Sequence, residues 1–262
     1  MKNVLTIAGS DPSGGAGIQR DLKTFAEFNC NGLSVITALT AQNSKKVNGV
    51  LPVTASFVKK QIETLFEEYK IDALKTGMLA AEDIVKTLAQ IFKNKKQKNI
   101  VIDTVFVSTS GYPLLEKKGI KRLKDDLIPF AEIVTPNIYE AFILSGVKIK
   151  DIEDMHLAAE RIKKLGCNAV LVKGGHLKEV KSQKHALEGF NQGSKHKSKV
   201  VDVLYNGKEF KLFKAKRISK DLHGTGCILS AGIAAGLANG LDIKDAIKNA
   251  KKYVTRMIGK SL

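Results

Sequence analysis

Tryptophan is absent from this chain, and its 262 residues include only three cysteines, five prolines and a 6% share of aromatics. The cysteines, Cys30, Cys167 and Cys227, form no CxxC pair and have no histidines at ligand spacing, which excludes a disulfide framework or a structural zinc site as the organising device. Cys30 and Cys167 read as inert core residues. No apolar run approaches the about 18 residues that a membrane-spanning helix requires, and the short apolar stretch at 4–8 is too small for a signal peptide. The expectation is a cytoplasmic protein with no membrane partner. Recognisable nucleic-acid modules are missing too. The formal charge of +17 invites a phosphate-binding reading, but the lysines spread over helix faces and gather at 93–98 and 178–199 without interleaved aromatics. A solvated basic surface is expected, and no nucleic-acid partner.

What the chain does contain is enough apolar residue, 44%, to bury a large core in a single domain over 1–262. Short β-branched runs at 4–8, 33–38, 72–75, 100–103, 132–135 and 169–173 alternate with segments of helical period at 16–27, 56–69, 81–93, 117–127, 138–144 and 152–165. This order predicts an α/β fold with a mostly parallel central sheet covered by helices on both faces. Residues 200–205 and 209–213 flank Asn206-Gly207, a two-residue turn signal that predicts a late antiparallel hairpin. Helices at 225–237 and 243–258 close the chain. The polar, lysine-rich segment 178–198 reads as a surface loop or short insertion.

The unusual polar residues follow the ends of the predicted strands, where a parallel sheet binds its ligands. A glycine-rich loop spans 9–17; Gln42 and Asn43 follow the second strand, Lys75-Thr76-Gly77-Met78 the third, Asp103-Thr104-Val105 the fourth, Thr135-Pro136-Asn137 the fifth and Lys173-Gly174-Gly175-His176 the sixth. The loop at 9–17 has neither the ending of a P-loop nor the third glycine of a dinucleotide fingerprint, so it suits close approach to a small substrate better than a phosphate. His223-Gly224-Thr225-Gly226-Cys227 runs straight into a small-residue apolar helix. Such a turn is an anion cradle, because bent glycine backbone and a helix N-terminus converge N–H groups on one point. Cys227, in the first turn, is either a buried turn residue or a thiol whose pKa is lowered to serve as proton acceptor. Asn137 and Glu140 fit a capping box, and equally fit outer ligands that hold waters around magnesium. Lys173 is either a solvated strand-end lysine or a point charge for a phosphate. His176 and His223 read as turn residues.

Together, LTIAGSDPSGGAGIQRDLKTF at 5–25, VITALTAQNS at 35–44, KTGML at 75–79, DTVFVSTSG at 103–111, TPNIYEA at 135–141, VKGGH at 172–176 and HGTGCILSA at 223–231 resemble the hydroxymethylpyrimidine/phosphomethylpyrimidine kinases of thiamine biosynthesis, members of the ribokinase-like superfamily. The resemblance covers nearly the whole chain. It implies a three-layer ribokinase-like fold, a cytoplasmic homodimer, and ATP-dependent phosphorylation of hydroxymethylpyrimidine and then of its monophosphate. By this likeness the pyrimidine would lie against Gly9, Asp11, Ala16, Asp21, Gln42, Met78 and Val105, with Gln42 reading its polar edge. ATP phosphates would lie near Lys173, Gly224, Thr225 and Gly226, Mg2+ near Asn137, Glu140 and Asp103, and Cys227 would take the hydroxymethyl proton. Arg20 stands where alanine is common in the family, Phe106 where methionine is usual, and no glycine-histidine-rich tail follows Leu262. A pyridoxal or pyridoxine kinase of the same fold is the alternative enzyme, and a non-catalytic pyrimidine-binding sensor the alternative from another class. Thr40-Ala41-Gln42-Asn43 favours the pyrimidine enzyme.

Overall fold

Apolar side chains alternate along the central strands, and the alternation sends successive residues to opposite faces of one nine-stranded sheet. A computed structural model of the chain describes residues 1–108, 110–175, 199–216 and 224–260. In chain order the elements are β1 (Lys2–Ser10), α1 (Gly17–Glu27), β2 (Cys30–Gln42), β3 (Val47–Pro52), α2 (Ala55–Glu68), β4 (Ala73–Thr76), α3 (Glu82–Lys95), β5 (Ile100–Ile102), α4 (Lys117–Arg122), β6 (Ile133–Val134), α5 (Ile138–Ser145), α6 (Ile152–Lys163), β7 (Ala169–Val172), β8 (Lys199–Tyr205), β9 (Phe210–Lys216), α7 (Thr225–Ala238) and α8 (Ile243–Lys260). Between α4 and β6 the helix continues as a π-turn at Leu123–Leu127 and a 3-10 turn at Ile128–Phe130.

The strands run in the order β3-β2-β1-β4-β5-β6-β7-β8-β9. The six from β2 to β7 are parallel to their neighbours, whereas β3 at one edge and β8 and β9 at the other are antiparallel. One face presents Leu5, Ile7, Leu74, Ile102 and Val170 to α2, α3, α5 and α6. The opposite face presents Val4, Ala73, Val101 and Leu171 to α1, α7 and α8. These are the three expected layers. Strand order reverses between β1 and β4, so a crevice opens at their carboxyl ends, the place where such sheets take ligands.

Three local expectations are corrected. The strand expected at 33–38 runs on to Gln42, which pairs with Val47 instead of following the strand, and β3 is an edge strand that the periodicity missed. The late hairpin is present, but its ladder closes at Tyr205 and Phe210, leaving a connection of four residues instead of two. The Asn206 side-chain oxygen accepts the N–H groups of Lys208 and Glu209 and so fills the turn with its own hydrogen bonds. The segment 178–198, His176 and His223 lie outside the described residues.

Helix α7 is apolar on every side and buried through most of its length. Its Gly232 and Gly236 let α8 approach, since a Cβ built at either would fall 2.9 Å from the Cβ of Ala250 or Ala246. No helix among the described residues is long and apolar enough to cross a membrane.

Candidate functional site

The loop after β1 is folded by its own polar groups. Asp11 is buried; its Oδ1 accepts the Ser13 N–H and hydroxyl at 2.9 and 2.8 Å, and its Oδ2 accepts the Ala16 N–H at 2.8 Å. The chain then turns into α1 at Gly17, where φ is +59° and a Cβ would lie 2.4 Å from the Gly9 carbonyl. Only glycine permits that approach.

This loop meets the start of α7. Gly224 caps the helix in the left-handed region, with φ +84°, and a Cβ there would lie 2.0 Å from the Gly15 carbonyl oxygen. The first N–H to bond back within the helix is that of Ile228, to Gly224 O at 3.0 Å, and among the described residues no side chain caps the end. The N–H groups of Thr225, Gly226 and Cys227 are therefore the donors a helix N-terminus offers to an anion. Gly226 sits against Lys173, whose Nζ would be 3.4 Å from a Cβ at that position. Lys173 is itself bridged to Asn137, and its N–H donates to Pro136 O at 2.8 Å. Residues remote in sequence thus converge on one point: the glycine loop, the α7 turn, Lys173 and Asn137.

The charges there are paired and mostly buried. Lys173 Nζ donates to Asp103 Oδ1 at 3.0 Å, and the Ser230 hydroxyl donates to Asp103 Oδ2 at 3.0 Å. Burial opposes ionisation of Asp103, but Lys173 and Lys75 outweigh it and hold its pKa below the usual carboxylate value. Burial likewise opposes the Lys173 charge, which Asp103 and Glu140 sustain. Glu140 closes the capping box expected from sequence: its Oε2 accepts the Asn137 N–H at 2.8 Å and the Thr104 hydroxyl at 3.0 Å, while its own N–H donates to Asn137 Oδ1 at 2.9 Å. Burial pushes the Glu140 carboxyl up to about 7, with Lys173 pulling against it and Asp103 adding to it.

Beneath the crevice lies a second ion pair. Lys75 Nζ donates to Asp21 Oδ2 at 2.7 Å, the Thr6 hydroxyl donates to the same oxygen at 2.7 Å, and both charged side chains are fully buried. Asp21 therefore faces Lys75, with no surface turned to the crevice. Cys227 is half-buried, with its thiol enclosed by protein. This burial pushes its pKa up to about 11, opposed by Lys75 and by a hydrogen bond from the Gly17 backbone. Of the two readings of Cys227, desolvation favours the buried turn residue over a thiol lowered by the helix terminus. Cys30 and Cys167 are buried, and burial raises both pKa values, Cys167 to about 11.

The apolar side of the crevice is a small cluster of Ala38, Met78 and Leu114 with Val50, Ala80 and Val105 packed on it. Gly9 belongs here, since a Cβ on it would lie 3.0 Å from the Met78 sulfur. The Thr37 hydroxyl fixes the Met78 carbonyl at 2.6 Å. Gln42 ends β2, where Thr40 donates to its Oε1 at 3.3 Å. Sequence reasoning put Lys75, Thr104 and Thr135 at the ligand-binding strand ends without giving them a role, and passed over Ser230. A lysine inside the otherwise apolar β4 was the available signal for the first; the others needed the tertiary structure.

The family model described as phosphomethylpyrimidine kinase matches residues 11–262. The hydroxymethylpyrimidine/phosphomethylpyrimidine kinase of Aquifex aeolicus is 41% identical over 258 residues, covering 98% of this chain and 94% of the relative. The crystal structure of phosphomethylpyrimidine kinase from Clostridium difficile 630 superposes with a TM-score of 0.83 at 40% identity, over 98% of this chain and all of the other. An ADP complex of Bacillus subtilis pyridoxal kinase superposes with a TM-score of 0.83 at 38% identity, covering 97% and 90% of the two chains.

Proposed function

The chain belongs to the phosphomethylpyrimidine kinase family and has its ribokinase-like, three-layer fold, and from that premise we propose how its crevice performs the phosphoryl transfer. The reaction is ATP-dependent phosphorylation of hydroxymethylpyrimidine and of its monophosphate to the diphosphate, for thiamine biosynthesis. One observation carries the assignment of the transfer point: the Gly224–Gly226 turn, the Lys173 ammonium and the glycine loop after β1 meet at van der Waals distance.

The pyrimidine lies on the apolar patch of Met78 and Val105, against Gly9 and Ala16, with the Gln42 carboxamide donating and accepting at its polar edge. Asp11 shapes the loop under the substrate, and Asp21 supports the floor through Lys75. The N–H groups at the start of α7 and the Lys173 charge hold the γ-phosphoryl oxygens. These fixed dipoles and charges stabilise the charge of the transition state without reorganising, which supplies most of the catalysis in phosphoryl transfer. The new bond forms between the substrate hydroxymethyl oxygen and the γ-phosphorus as the bond to the bridging oxygen breaks and ADP departs. The hydroxyl proton is assigned to the Cys227 sulfur through the small thiolate fraction that its raised pKa leaves, a contribution on the scale of at most about 10²–10⁴-fold.

Asp103, Glu140 and Asn137 fit a hydrated magnesium ion: all offer oxygen, Asp103 and Glu140 are both buried, and to the raised Glu140 pKa, chiefly the result of burial, Asp103 adds a repulsion that a cation would relieve. When bound, the metal neutralises triphosphate charge. The +17 balance would help draw the nucleotide in. A homodimer in the cytoplasm, each subunit a single catalytic domain, completes the proposal; the exposed Leu39, Leu51 and Phe57 support a self-association surface.

The test is mass-spectrometric identification of products after incubation with ATP, magnesium and hydroxymethylpyrimidine, with pyridoxal in a parallel reaction. Mono- and diphosphates of the pyrimidine are expected. Preference for pyridoxal would replace this reading with the second one, which the likeness to the Bacillus subtilis pyridoxal kinase favours. Binding without turnover would replace it with a sensor.

A further inference from the structure

Lys173 stands just past the end of β7, one residue beyond the pairing of Val172 with Val203. Its own N–H donates to Pro136 O at 2.8 Å, and the next N–H in the chain, that of Gly174, donates to Oδ1 of the buried Asp202 at 2.9 Å. Asp202 belongs to β8. Its other oxygen, Oδ2, accepts Lys251 of α8, whose Nζ also donates to Phe213 O at 3.4 Å. Both charged side chains are mostly buried. Taking such a pair out of water costs solvation that an apolar pair of the same size would not, so stability alone is a poor reason for it. Gly174 is pressed onto the same strand: a Cβ there would lie 2.0 Å from Val201 O.

Resting on the reading of Lys173 as the lysine that holds the γ-phosphoryl oxygens, we infer that Asp202 is a positioning residue for that lysine and is itself held in place by Lys251. The Gly174 N–H belongs to the planar peptide that joins Lys173 to Gly174, so tying it fixes ψ of Lys173; the bond to Pro136 O ties the preceding peptide and fixes φ. With both dihedrals set, the direction in which the side chain leaves the backbone is set too. Its Nζ then meets Asp103 and the Gly226 turn from a rigid stem. Asp202 acts through the backbone of its neighbour and touches neither substrate nor nucleotide. Lys251 occupies the oxygen that Gly174 does not use, which keeps the carboxylate aimed at the Gly174 N–H.

The experiment measures binding of the non-hydrolysable ATP analogue AMP-PCP, with magnesium, by isothermal titration calorimetry in the wild-type chain and in Asp202→Ala, Asp202→Asn, Lys173→Met and the double variant Asp202→Ala/Lys173→Met. Asp202→Ala releases the Gly174 N–H, and affinity falls about tenfold, the scale of one hydrogen bond to a charged group. Asp202→Asn keeps a carbonyl oxygen for that N–H while Lys251 turns to Phe213 O and solvent, so affinity stays within about threefold of wild type. In the Lys173→Met background Asp202→Ala costs nothing further, because the side chain it positions is gone. A mere strut of the fold would weaken both backgrounds alike. Equal losses in the two backgrounds, wild-type affinity in Asp202→Ala, or an Asp202→Asn protein as weak as Asp202→Ala overturns the inference. If Asp202→Ala does not fold, Asp202→Ala/Lys251→Met, which removes both charges of the pair, takes its place in each comparison. Lys173→Met alone tests the underlying reading: wild-type affinity there removes the phosphate role of Lys173 and the inference with it, whereas a weakened Lys173→Met beside an unaffected Asp202→Ala sinks the inference alone.

Discussion

A carboxyl that titrates near neutrality makes Glu140 the residue with the clearest pH signature. Its folded pKa of about 7 lies above the ordinary 4.5, chiefly because of burial. The folded state therefore holds a proton that the unfolded chain has released. The stability this gives is complete below 4.5 and is lost as the pH rises through about 7. Glu140→Gln keeps a capping-box side chain but cannot ionise. Urea unfolding at pH 5 and at pH 7.5 should show the variant gaining about 1–3 kcal/mol on the wild type between the two, while its kinase activity falls because one oxygen donor loses its charge. A constant difference between the two proteins would refute the burial argument. Of the two sequence readings of Asn137-Ile138-Tyr139-Glu140, the capping box forms, and it leaves the Glu140 carboxylate within electrostatic reach of Lys173 and Asp103; the magnesium role belongs to the proposal.

At the level of elements, the proposed chemistry gathers at the first turn of α7. Gly224 combines a positive φ with a contact that admits no side chain, so Gly224→Ala must move either the helix start or the Gly15 loop. We expect a loss of at least about 1 kcal/mol in stability and a KM for ATP raised tenfold or more, measured by denaturant titration and steady-state kinetics. A variant with wild-type KM would mean that the turn does not hold the nucleotide. Strand and helix alternation was legible because β1, β5 and β7 are β-branched and α1 and α3 carry apolar stripes. The edge strand β3 was not, since Val47-Asn48-Gly49-Val50-Leu51-Pro52 holds a glycine and a proline that only an edge tolerates. The neighbouring stretch of β2 beyond Leu39 pairs with β3 alone.

Across the whole molecule, topology collects the site. The carboxyl ends of β1, β4, β5, β6 and β7 line one edge of the sheet, and α7 crosses the chain back so that Ser230 bonds Asp103 across 127 positions. The surface carries +17 of formal charge, which acts at long range on an anionic substrate. Raising salt from about 0.05 to about 0.3 M shortens the Debye length to well under 10 Å. The expected result is a KM for ATP that rises several-fold with kcat nearly constant. A salt-independent KM would show that only the local charges of Lys173 and the α7 turn matter.

Residue types and their periods determined the layer architecture, the parallel core, the two glycine segments and the chemical classes of Gln42, Lys173, Asn137 and Cys227, because backbone propensity and side-chain polarity are local properties. Burial and pairing were decided only by the tertiary structure. Nothing local to His223-Gly224-Thr225-Gly226-Cys227 could show that its thiol is desolvated to a pKa of about 11, or that a lysine from β4 and an aspartate from α1 act on it. Desolvation and Coulomb terms depend on what surrounds a group from every side, and here those surroundings come from segments as much as two hundred residues apart in the chain.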